Sequence, residues 1–211
     1  MGRCPDCGQW ETFVEETQTV QPTSSGRLSM SSLQAAPVPI DSVDLEQEER
    51  ILTDINELLD QYVALAYHGL RAQDKEFNIT IEKNYDGSIG KINIVPQDIS
   101  RVFLNIINNA CYAANDKKKI AGNSFSPILK VSTHQLDGKV EIIIRDNGNG
   151  IPASIKEQIF NPFFTTKPAG EGTGLGLSLS YDIVTKVHGG ELKFESEEGK
   201  FTEFTITLPK S

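Results

Sequence analysis

Asn105 and Asn109 stand four residues apart in the stretch Asn105–Ala113, NIINNACYA. On a helix that spacing makes them neighbours on one face. The face lies at the edge of the apolar stripe drawn by Ile99, Val102, Phe103, Ile106, Ile107 and Ala110. A carboxamide oxygen offers a hard cation a ligand without adding charge. Magnesium carried by ATP takes most of its ligands from phosphates and water, so one protein oxygen is enough. Taken alone, the motif is equally readable as surface asparagines.

Asp146 opens Asp146–Ile151, DNGNGI. In a strand, Val140, Ile142, Ile144 and Asp146 share one face by the period-two rule, so the carboxylate falls on the core side. A buried carboxylate needs hydrogen-bond donors, and the exocyclic amine of an adenine is one. Gly148 and Gly150 let the backbone turn sharply and approach the base. An ordinary Asp-Asn-Gly turn is the plain alternative. In Phe160–Lys167, FNPFFTTK, the aromatics Phe160, Phe163 and Phe164 suit the anchored base of a loop, while Thr165, Thr166 and Lys167 reach towards phosphate. The alternative is a hydrophobic plug with a solvated lysine. Gly170–Leu177, GEGTGLGL, ends at a helix start and can present backbone N–H groups to phosphate. Its glycines also permit opening and closing. No Gly-Lys-Ser/Thr follows, so it is not a Walker loop. Together the four stretches describe a pocket for an adenine, a magnesium ion and a flexible phosphate lid.

Regular elements must position these groups. Asp54 and Glu57 resemble a capping box, after which Leu58, Leu59, Tyr62, Val63, Ala66 and Leu70 recur at helical spacing. Phe77, Ile79 and Ile81 alternate as in a strand, as do Ile92 and Ile94. Pro96 suits the first turn of the helix that bears the asparagines. Strands around Ile128–His134 and Val140–Asp146 flank a turn at Asp137–Gly138. A helix from about Gly174 to His188 precedes a closing strand pair, Glu191–Glu195 and Glu203–Leu208. Single-faced antiparallel strands among helices predict a sheet covered on one side.

The 211 residues allow one sizeable domain plus an appendage. A net charge of −9 argues against non-specific binding to nucleic acid or anionic membranes. The polar start and the lack of a long apolar run predict neither signal peptide nor membrane span. Three cysteines, Cys4, Cys7 and Cys111, fit a reducing compartment, with the cytoplasm as default. Cys111 reads as a small core residue.

In this order the motifs resemble the ATP-binding domain of two-component sensor histidine kinases, within the group that includes gyrase, Hsp90 and MutL. The resemblance covers about Ile51 to Pro209, and LLDQYVALAYHGLRAQDK and GKFTEFTITLP share it. It implies an α+β, two-layer α/β sandwich, with a mixed, mostly antiparallel sheet covered on one face by helices. It implies that Asn109 ligates magnesium, that Asn105 assists near the phosphates and that Asp146 binds the adenine amine. Gly148, Gly150 and Ile151 would shape the base pocket. Phe160, Thr166 and Lys167 would begin the lid, and Gly172, Thr173, Gly174, Leu175 and Gly176 would close it. Asn105, Asn109 and Lys167 are thus the implied catalytic residues. Hydrolysing members tend to carry a glutamate where this chain has Asn105, so transfer is favoured over hydrolysis. Many kinases carry a Lys or Arg where this chain has Tyr112, and no phosphate-binding cation is assigned there.

The resemblance also implies partners, an acceptor-histidine dimerisation domain and a response regulator. None of His68, His134 and His188 has the acceptor setting, so the acceptor is expected elsewhere and the chain is expected to bind Mg-ATP without phosphorylating itself. An ATP-hydrolysing or protein-serine-kinase relative remains an alternative.

Residues 1–16 read as a knuckle, in which GRCPDCGQWETFVEE looks like the second half of the zinc ribbon of RadA-type DNA-repair ATPases, and 17–50 read as a polar linker. PVPIDSVDLEQEERILTDINEL resembles the connector of those proteins, so the two resemblances meet near Ile51–Leu59, as in a fused reading frame. Cys4 and Cys7 would supply two of the four ligands zinc wants. A zinc site would therefore need a second chain, and zinc is not an expected cofactor. A non-catalytic fragment with a metal-binding tail is the third alternative.

Overall fold

The computed structural model describes residues 49–168, 170 and 172–210. The Cys4–Cys7 knuckle and nearly all of the expected linker lie outside the described residues.

The fold begins with a short strand, β1 (Ile51–Asp54), that pairs antiparallel with β3 (Lys91–Ile94) in a two-stranded ribbon. Asp54 ends β1 and caps the helix α1 (Ile55–Gln73). Its carboxylate accepts from the backbone N–H groups of Asn56 at 3.0 Å and Glu57 at 3.1 Å, satisfying two donors that the first turn leaves free. Ile55, Leu59, Val63 and Ala66 form the buried stripe of α1. The second helix, α2 (Pro96–Ala121), starts at the predicted proline. It buries Ile99, Val102, Phe103, Ile106, Ile107, Ala110, Cys111 and Ala114, the three-and-four spacing of a core-facing helix. Fully burying one such isoleucine contributes roughly 1.5–3 kcal/mol. Among the described residues no helix is long and apolar enough to cross a membrane.

The main sheet contains β2 (Thr80–Asn84), β4 (Ile128–Leu136), β5 (Lys139–Asp146), β6 (Glu191–Glu197) and β7 (Phe201–Pro209), in the order β2-β4-β5-β7-β6. Val140, Ile142 and Ile144 of β5 and Phe204, Ile206 and Leu208 of β7 are buried on the face that α1 and α2 cover. On the other face the Arg145 guanidinium pairs with Glu203 at 3.0 Å and lies over the Phe201 ring. The result is the expected two-layer, mixed α+β sandwich.

Three details differ from the sequence expectation. The strand expected from Phe77 begins at Thr80. Phe77 and Ile79 keep their inward parity and are buried, but a turn in which the Phe77 N–H donates to Asp74 O holds the start away from the sheet. The parallel pair of the expected mixed sheet is β2 with β4; the long connection through α2 crosses over, as parallel neighbours require. The ribbon strand β1 lies where no strand is expected, in the residues between the linker and the Asp54 cap. Finally, the helix expected over 174–188 is α3 (Gly176–Asp182) followed by one π-helical turn, Ile183–Val187.

The π-helical turn ends on His188, which is 2% exposed. Its Nε2 accepts from the Val95 N–H at 3.1 Å, leaving Nδ1 to donate to Ile183 O at 3.0 Å. The ring therefore ties the turn to the start of α2.

Candidate functional site

One cavity of about 630 Å3 opens beside α2. Its wall is the α2 face with Asn105, Asn109, Tyr112 and Asp116, and its floor holds Asp146, Thr202 and Phe204. The loop after β5 contributes Asn149, Gly150 and Ile151, and Thr166, Lys167, Gly172, Thr173, Gly174 and Gly176 close the rim. Residues from all four motifs therefore meet at one cavity, although 71 positions separate Asn105 from Gly176.

Asp146 stands where strand parity puts it, 3% exposed at the inner end of β5. The Gly148 N–H donates to its Oδ1 at 2.7 Å, and the Thr202 N–H also points to the carboxylate. Burial nevertheless pushes the carboxyl up to about 7, against the opposing pull of those two donors and of the Lys117 and Arg145 charges. The thiol of Cys111, buried on α2, is in turn raised to about 12 by burial and then by the nearby Asp146 charge. It is an inert core sulfur, as expected.

The loop after β5 is held from several sides. Asn147 turns away from the cavity: its Oδ1 accepts from the Ile128 N–H at 2.8 Å and its Nδ2 donates to Ser126 O at 2.9 Å. Asn149 Nδ2 donates to Asp116 Oδ2 at 2.7 Å. The glycines serve close approach to the chain itself. A Cβ on Gly148 would lie 2.6 Å from the Ala113 carbonyl carbon, and one on Gly150, whose φ is 66°, would lie 2.1 Å from Glu197 O.

On α2 the two asparagines do different things. Asn105 Nδ2 donates to Gly176 O at 3.2 Å and to the buried Ser180 Oγ at 3.3 Å, so it anchors the start of α3. Asn109 Oδ1 accepts from Lys167 Nζ at 2.9 Å, and that ammonium lies 4.4 Å from the centre of the Tyr112 ring. A cation thus stands over the Tyr112 position after all, delivered by the rim rather than by the helix.

Three candidates do not line the cavity. Gly148 packs behind it. Phe160 stacks on Tyr181 and Phe194 at 5.2 and 5.8 Å, anchoring the base of the rim. Leu175 lends its carbonyl to the first turn of α3. Sequence reasoning missed Thr202, Asp116 and Asn149. Thr202 carried a usable signal: it shares strand parity with Phe204, Ile206 and Leu208, and it sits opposite Asp146 in the ladder. Asp116 lies two turns beyond Asn109 and carried none.

Fold and cavity together define a class, the two-layer sandwich with a pocket walled by one long helix and rimmed by a glycine-rich segment. The chain belongs to the family of histidine kinase-, DNA gyrase B- and HSP90-like ATPases, whose pattern matches residues 94–211. It is 35% identical over 164 residues to Sporulation kinase C of Bacillus subtilis (strain 168), across 77% of this chain and 33% of that protein. Sensor histidine kinase ZraS of Escherichia coli (strain K12) is 31% identical over 156 residues, across 74% of this chain and 30% of its own length. Among solved structures, the nucleotide-free catalytic domain of histidine kinase ThkA superposes with a TM-score of 0.62 at 29% identity, covering 77% of this chain and 96% of that one. The chain spans about a third of the length of these curated relatives.

Proposed function

We propose that the cavity binds ATP with magnesium, and that residues 51–211 act as the phosphoryl-donor unit of a sensor histidine kinase. The acceptor histidine belongs to a separate dimerisation domain, with a response regulator downstream, in a cytoplasmic setting. The observation that carries this reading is Asp146, a buried carboxylate at the floor of a cavity. Two backbone N–H groups leave it acceptor capacity, and a purine amine supplies the matching donor.

The remaining residues fit the rest of the nucleotide. Gly150 and Ile151 would border the base, with Gly148 and Phe160 supporting the loops behind it. The Asn109 amide oxygen, which here accepts from an ammonium, would be the protein ligand of magnesium. That oxygen already faces positive charge, which supports the assignment. Bound magnesium would neutralise phosphate charge. Lys167 and Thr166 would reach the phosphates, with the Gly172–Gly176 segment closing over them. Asn105 offers an amide and no proton-accepting carboxylate, which favours transfer over hydrolysis. The relatives named as kinases support the same choice.

The test is a Mg-ATP titration of the native chain beside Asn109→Ala and Asp146→Ala. Both variants should bind at least tenfold more weakly, the effect of losing roughly 1.4 kcal/mol. Equal binding by all three would remove the site. Incubated alone with Mg-ATP, the chain should acquire no acid-labile phosphate.

A further inference from the structure

Lys117 lies two turns beyond Asn109 on α2 and faces the loop after β5. Its ammonium donates to three backbone carbonyls: Asn147 O at 2.9 Å, Gly148 O at 3.2 Å and Gly199 O at 2.8 Å. An ammonium has three donors, so these contacts fill its capacity. The Phe125 ring lies 4.6 Å away, centroid to nitrogen. Two of the carbonyls belong to the Asp146–Ile151 loop and the third to the turn joining β6 to β7.

We infer that Lys117 is a positioning residue of the base pocket: by gathering these three carbonyls it fixes the loop that presents the Asp146 carboxylate to a purine amine. The inference rests on the adenine reading above. Two features separate Lys117 from an ordinary surface lysine. It is partly buried against the loop, and its partners are carbonyls whose orientation decides where Gly148 N–H points. That N–H in turn holds Asp146 Oδ1 at 2.7 Å. Other ties hold the loop as well: Asn147 to Ser126 and Ile128, Gly199 N–H to Asn149 O, and Ile151 N–H to Ser196 Oγ. Asn149 also bonds Asp116 on α2, while Lys117 is the link from that helix to the Asn147 and Gly148 carbonyls on either side of the Gly148 N–H.

Charge gives a readout that packing alone would not move. The groups facing the Asp146 carboxylate are Lys117 and Cys111 from α2, Arg145 from its own strand and the Thr202 N–H from β7. Arg145 is paired with Glu203, and Asp116 stands on the cavity wall. Removing the Lys117 charge takes away a cation that favours the ionised, amine-accepting form.

The experiment titrates ADP, in the absence of magnesium, into the native chain, Lys117→Met, Lys117→Gln, Lys117→Arg and Asp146→Asn, from about pH 6 to about pH 9. Lys117→Met should bind roughly tenfold more weakly, as expected when charge-assisted hydrogen bonds are lost. Its pH midpoint for binding should move upward, and Lys117→Arg should recover most of the affinity at the native midpoint. Lys117→Gln replaces the methionine variant if that one fails to fold by circular dichroism. If Asp146→Asn loses ADP while Lys117→Met and Lys117→Gln keep native affinity, the positioning role is wrong and the base pocket stands. It is also wrong if affinity falls but the midpoint stays put and arginine restores nothing. If Asp146→Asn itself binds ADP as the native chain does, the adenine reading has failed, and the role of Lys117 with it.

Discussion

Replacing Asp146 by asparagine should weaken the site and strengthen the fold. The carboxyl is raised from its ordinary 3.8 to about 7, chiefly by burial. A folded-state value above the unfolded one means that the folded chain holds its proton more tightly. The group's favourable contribution is complete below pH 3.8 and is lost as pH rises through about 7. At 1.36 kcal/mol for each tenfold change in proton affinity, keeping this group buried costs about 4 kcal/mol at about pH 8 and about 2 kcal/mol at about pH 5, relative to acid conditions. Asparagine has the same shape, can accept from the Gly148 N–H through its oxygen, and never ionises.

Urea unfolding of the ligand-free chain should therefore find Asp146→Asn more stable at both pH values, with the advantage growing by roughly 2–3 kcal/mol between about pH 5 and about pH 8. In thermal unfolding, the effect at the higher pH corresponds to roughly 10 °C. A less stable variant, or an advantage that does not widen with pH, would refute the claim that an ionised carboxylate is held there against its desolvation. Nucleotide affinity of the native chain should run the other way, weakening as pH falls below about 7 and the acceptor is protonated. A costly charge retained at the floor of a cavity is the pattern expected of a functional group.

Other residues give sharper local tests. Gly150→Ala would drive a Cβ to 2.1 Å from Glu197 O at a φ of 66°; the fold should lose about 2 kcal/mol or more by urea titration, since backbone atoms cannot yield cheaply. A loss below about 0.5 kcal/mol would show that the loop can move off the β6–β7 turn. His188→Ala strips the partner from the buried Val95 N–H and opens a cavity, and should cost about 2–4 kcal/mol. Asn105→Ala removes both donations to α3, so amide exchange over Leu177–Ser180 should accelerate while α2 keeps its protection.

What could be read from the chain alone follows from how locally each feature is determined. Asp146 was legible because period-two alternation is a property of a few consecutive residues, and three isoleucines and valines on one face leave no other place for the fourth side chain. The same rule applied to β7 would have found Thr202, but a threonine on a core face satisfies itself more easily than a carboxylate and attracts no notice. The Asp54 cap and Pro96 marked helix starts correctly because they act within one turn.

The features that escaped depend on distant partners. β1 is four residues long and exists because β3 pairs with it, forty positions away. The π-helical turn before His188 is set by a hydrogen bond to Val95 across 93 positions. Lys117 was invisible for the same reason. By type it is one of three consecutive lysines at the end of a helix, Lys117, Lys118 and Lys119, a run that reads as solvated charge. Only the arrival of two loops at its ammonium distinguishes it, and one of those loops lies 82 positions on. The four motifs thus supply the chemistry of the cavity in local code, while the groups that hold them in register are written in long-range contacts. A variant that keeps every motif residue and loses Lys117 tests whether those contacts are needed for the pocket to form.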